Sequence, residues 1–151
     1  MTAAQENALV GGMVGGMMAG LTVGIIILYI LLVIAMWKIF TKAGEAGWKS
    51  LIPIYNSWVL YKIIGVNFWI WFLAVPLAGA IISAIAGEKS TIGALVYLVA
   101  LLAADIKSSY GLAKSFGKGT GFTVGLVLLP FIFQLILGFG KDEYVGPNGE
   151  K

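Results

Sequence analysis

The amino-acid sequence predicts an all-α integral membrane protein with about four transmembrane helices and an interfacial aromatic segment between the first and second. Three observations carry this prediction. The 151 residues are 60% hydrophobic and only 11% charged, less than half the roughly 25% charge of soluble domains. Mean hydropathy is +0.96. The apolar residues also come in blocks: from Ala8 to Trp37, thirty positions, there is no charged side chain, and about 20 suffice to span. A soluble fold of this size would expose large apolar patches if it carried several such blocks.

The first block runs from about residue 21 to 40, and the glycine- and methionine-rich residues 1–20 precede it as a separate N-terminal segment. The second covers 66–86 and is followed by a short turn at Gly87, Glu88, Lys89 and Ser90. The third covers 91–113, and the fourth 122–139. Eighteen residues at about 1.5 Å each reach about 27 Å, close to the hydrocarbon thickness. Residues 140–151 read as a polar tail with a turn at Gly146, Pro147 and Asn148. Lipid offers no partners to backbone groups, so the spanning blocks are helices or a closed barrel. Their continuous apolarity lacks the alternation of barrel strands.

Lysine placement predicts orientation. Lys38, Lys42, Lys49 and Lys62 lie between the first two blocks, and Lys107, Lys114 and Lys118 between the last two. Four crossings place these seven on one side, leaving Lys89, Lys141 and Lys151 on the other. The expectation is a multi-pass protein with both termini non-cytoplasmic.

Residues 43–65 hold Trp48, Tyr55, Trp58 and Tyr61 near Lys49 and Lys62. Amphipathic rings beside lysines belong at headgroup level, so these four aromatics are the expected interfacial anchors. Pro53 divides the segment into two short pieces. Lys107, Lys114 and Lys118 follow one another at helical spacing and are candidate lipid-headgroup contacts, although an ordinary positive-inside helix end explains them as well.

Gly12, Gly16, Gly20 and Gly24 recur every four residues. On a helix they form a smooth strip that lets another backbone approach closely, the expected oligomerisation surface. A loose glycine-rich tail is the competing reading, which Met13, Met17 and Met18 disfavour. A single helix over residues 8–40 would be about 50 Å long, well beyond a ~30 Å core.

Catalytic and cofactor chemistry is not expected. The chain has no Cys, no His and no Arg, which removes thiol nucleophiles, imidazole bases and zinc sites built on Cys or His. Gly117-Lys118-Gly119-Thr120 fails the phosphate-loop spacing. A net charge of +3 suits attraction to anionic lipid, not nucleic acid. The expected partners are membrane lipids and further copies of the chain.

The stretch from Ile39 to Asn56, together with Ala113 to Phe122, Leu129 to Phe133 and Leu137 to Gly140, resembles the DUF5684 family of small bacterial and archaeal membrane proteins of unknown function. The resemblance covers roughly residues 30–145 and leaves out the glycine-rich N-terminus. It implies membrane topology and adds no mechanism. The signal-peptidase label of some relatives does not carry over, because Ser50, Ser108 and Ser115 meet Lys only at wet membrane edges. A self-associating structural or scaffolding protein is therefore the expected function. A small channel or transporter is the alternative, for which Asp105, Pro76, Pro130 and Gln134 should converge on one wet cavity.

Overall fold

A computed structural model describes residues 1–87 and 90–150. Helix α1 (Ala3–Lys42) is followed by a 3-10 turn (Gly47–Leu51) and helix α2 (Pro53–Ile63). A π-helical stretch (Trp69–Ala74) leads into α3 (Val75–Ala86), and then come α4 (Thr91–Ser115), α5 (Thr120–Leu128) and α6 (Pro130–Phe139). The chain is an all-α membrane protein, with three helical stretches long and apolar enough to cross: Ala3–Lys42, Trp69–Ala86 and Thr91–Ser115. Of the turn expected at 87–90, Glu88 and Lys89 lie outside the described residues.

Residues 1–20 do not form a separate element. They continue the first helix, which starts at a capping box in which Thr2 and Gln5 satisfy each other's backbone N–H. Forty residues make it about 60 Å long. Its end is a Schellman motif, with Gly44 at φ 78° and the Glu45 N–H donating to Phe40 O at 2.9 Å. The proline in the second block has a defined effect. Pro76 lacks the N–H that would bond one turn back, and the chain upstream widens so that Val75 N–H donates to Ile70 O, five residues earlier.

The fourth block corrects the sequence reading. Residues 122–139 are two short helices folded into a hairpin, not one crossing helix. Leu129 sits at φ −134°, ψ 59° because the proline ring after it disfavours helical backbone. Phe122 and Phe133, eleven residues apart, meet edge to face at 5.0 Å; a straight helix would hold them about 16 Å apart. The Phe133 ring fills the space where a side chain on Gly125 would sit. Helix α5 packs on α4, and α6 packs on α1.

The tail beyond the hairpin is also not free. Tyr144 donates to Ile63 O at 2.6 Å, the Val145 N–H to Ser115 O at 2.8 Å, and the Asn148 N–H to Ser115 Oγ at 3.2 Å. These bonds bring residues 140–149 to the end of the molecule that carries Lys42, Lys62 and Lys114. The two termini therefore lie at opposite ends, against the expectation that both lie opposite the lysines. The α5–α6 hairpin, which returns the chain to the Lys-rich end, is the reason.

Nearly all of the apolar core lies at the Lys-rich end. Ile39, Phe40, Val59, Ile64, Leu112, Phe116, Leu126 and Leu137 are buried together there. Towards the other end only α3 and α4 pair closely, at Gly79 against Ala100 and Tyr97 and at Gly93 against Ser83 and Ala86. Residues 3–31 of α1 are exposed throughout.

Candidate functional site

The Lys-rich end is built by turns that hold cations against carbonyls and carboxylates. The last carbonyls of a helix lack intrahelical partners. At the end of α6, Lys42 Nζ donates to Leu137 O at 2.7 Å and Gly140 O at 2.8 Å, so an ammonium from α1 caps it. Helix α4 ends at Ser115 in a second Schellman motif, with Gly117 at φ 66° and the Lys118 N–H donating to Ala113 O. The reversed backbone turns Lys118 towards Asp142, 2.6 Å away.

Glu45, just past the end of α1, joins Lys49 at 2.5 Å and Lys62 at 2.8 Å. These lysines, with the Lys49 hydrogen bond foremost, hold its carboxyl below the ordinary carboxylate value. Glu45 thus ties α1 to the 3-10 turn and to the end of α2. Burial pushes the Tyr144 phenol up, as expected of a hydroxyl committed to a backbone carbonyl.

The anchors divide. Trp48, Tyr55 and Trp58 form one stack, with ring centroids 6.3 and 5.6 Å apart. Beside it lies an open apolar groove of about 410 Å3, lined by Ile52, Ile54, Tyr55, Trp58, Phe68 and Trp69. Tyr61 is not an exposed anchor. It is buried and packs edge-on to Phe68 and Phe72, because the chain after α2 brings those rings against it.

The three candidate headgroup lysines do not share a face. Lys107 and Lys114, on α4, lie over the rings of Trp71 and Tyr110 at 5.9 and 5.7 Å. Lys118 has left the helix and is spent on Asp142. Gly12, Gly16, Gly20 and Gly24 do share one exposed strip of α1, with nothing within 4 Å of the position a side chain would take. Asp105 is exposed on α4. The groove beside the aromatic stack is lined by none of Asp105, Pro76, Pro130 and Gln134.

Sequence reasoning did not single out Lys42, Glu45, Asp142, Tyr144 or Asn148 as organising residues. Apart from Glu45–Lys49, four residues apart, their contacts cross 17 to 98 residues of chain, beyond the reach of local spacing.

The model of a family of unknown function, DUF5684, matches residues 48–147. The chain belongs to the DUF5684 family. The matched region takes in the aromatic segment, the α3–α4 pair, the α5–α6 hairpin and most of the tail. It begins after α1, so the glycine strip stands outside it. No curated protein and no solved structure matches the chain.

Proposed function

We propose that this DUF5684 protein is a non-enzymatic component of a membrane assembly that forms by self-association along α1. The observation that carries the reading is a long apolar helix whose residues 3–31 are bare. Helix α1 packs on α6 and on the Gly47–Leu51 turn, but residues 3–31 stay exposed and make no comparable contact with α3 or α4. Its N-terminal half presents a glycine strip, and small residues at that spacing let helix backbones approach closely.

The hairpin supports the same reading. Helices of nine and ten residues reach only about 14–15 Å from the Lys-rich end, half of a ~30 Å core. At the tip, Leu128, Leu129, Phe131 and Ile132 are exposed, and Pro130 has no N–H to continue the ladder. Irregular backbone at membrane depth is tolerated where protein or water covers it. A neighbouring copy would cover both the tip and the bare flank of α1.

In this reading the Lys-rich end is cytoplasmic. The C-terminal tail is then cytoplasmic with it, and the N-terminus lies on the far side. Lipids are the remaining partners. The break at Leu129–Pro130 favours a second reading, a small channel, since interrupted helices line transport sites. Subunit counting in lipid nanodiscs drawn from native membranes separates the two, combined with ion flux on the same protein. Self-association predicts two or more copies per particle without flux. Single copies would contradict it, and flux would favour the channel.

A further inference from the structure

The chain distributes its bulk unevenly between the two halves of a bilayer. Near the Lys-rich end lie the last turns of α1, all of α2, the start of the α3 stretch, the end of α4, and the half-depth helices α5 and α6. Near the other end only α1, α3 and α4 continue. Helix α2 stays within the same half: its first turn lies beside Tyr29–Met36 of α1, Tyr61 packs on Phe68 and Phe72, and Lys62 near its end reaches Glu45. Its exposed residues Ile54 and Trp58, with Leu51 and Ile52 just before it, are apolar, and Ile54 is 75% exposed, which suits burial among lipid chains.

The added area can be estimated. Two extra helices in cross-section, about 10 Å wide, add roughly 160 Å2 to one leaflet. Helix α2, eleven residues confined to the same half, adds at least one further cross-section, roughly 80 Å2. From this asymmetry we infer that the protein is a membrane wedge, which expands the leaflet at its Lys-rich end and prefers bilayers in which that leaflet is convex. Insertion of apolar helix faces into one leaflet is curvature-sensitive for this reason. The inference concerns the shape of one chain and stands whether or not copies associate.

The 151-residue chain has no cysteine, so Glu143→Cys supplies a single label at the Lys-rich end. This variant is inserted into preformed phosphatidylcholine vesicles, small sonicated or large extruded, whose neutral headgroups give the lysines no charged leaflet to choose. An impermeant maleimide then reads the fraction with the Lys-rich end outward. The outward-to-inward ratio should be about two-fold or more higher in small vesicles, a modest population shift. Adding Ile54→Glu and Trp58→Glu lifts α2 from the hydrocarbon and should return the ratio towards the large-vesicle value. Equal wild-type-like ratios in both vesicle sizes overturn the inference without reference to the double variant. A small-vesicle excess that survives the double variant unchanged overturns it too.

Discussion

Cysteines placed at positions 119 and 143 are expected to react with an impermeant maleimide from one face of the membrane, and a cysteine at position 4 from the opposite face. Positions 119 and 143 flank the α5–α6 hairpin. The Lys118–Asp142 pair at 2.6 Å holds its two ends together, and Lys42 holds the end of α6 against α1. Position 4 lies in the first turn of α1, forty residues and one crossing away. With the Lys-rich end cytoplasmic, position 4 labels in intact cells, while 119 and 143 label after permeabilisation. The effect is close to all or none. Labelling of 143 together with 4 would mean that the fourth apolar block crosses after all.

Replacing Gly138 by Leu is expected to detach α6 from α1. A side-chain carbon at Gly138 would stand 2.7 Å from the Ala35 Cα and carbonyl oxygen, so the obstacle is backbone and cannot rotate away. Overpacking of this kind costs about 1–3 kcal/mol when side chains absorb it, and more when helices must move. The displacement also pulls Leu137 O and Gly140 O from Lys42. Gly121→Leu is the control, because nothing lies within 4 Å there. Thermal unfolding in detergent should show a marked loss for Gly138→Leu and little change for Gly121→Leu. Equal melting would show that the α1–α6 contact contributes little.

How much of this was legible depends on the range of the interactions involved. The helical class follows from runs of apolar residues and the demands of backbone in lipid, both local. Pro53 falls between the 3-10 turn and α2, where its ring suits the first position of a helix. Pro130 was harder to interpret. Proline within an apolar block often only kinks a spanning helix, since neighbours re-satisfy the freed groups. What makes it a hairpin is the packing of Phe133 on Gly125 and the clasp of Lys118 on Asp142, neither visible as a motif. Once the hairpin is missed, the packing of the C-terminal tail at the Lys-rich end is missed with it. Tyr61 shows the same limit. Its place among the other rings suits an anchor, but only its packing on Phe68 and Phe72 decides that it faces inward.

The central claim is that α1 meets a second copy along its glycine strip, and the size of the complex with that strip blocked tests it most directly. Leucine or isoleucine on the strip would hold two backbones apart, whereas within one chain Gly16 and Gly20 have open space and tolerate a side chain. Gly16→Ile and Gly20→Ile are therefore predicted to insert and fold as single copies, with Gly16→Ala milder and the lipid-facing Val99→Leu unchanged. Mass measurement of the detergent-solubilised or nanodisc-held particles reads the outcome. A fall from the wild-type mass to that of one chain in both isoleucine variants is the predicted result; a mass unchanged from an oligomeric wild type would contradict it.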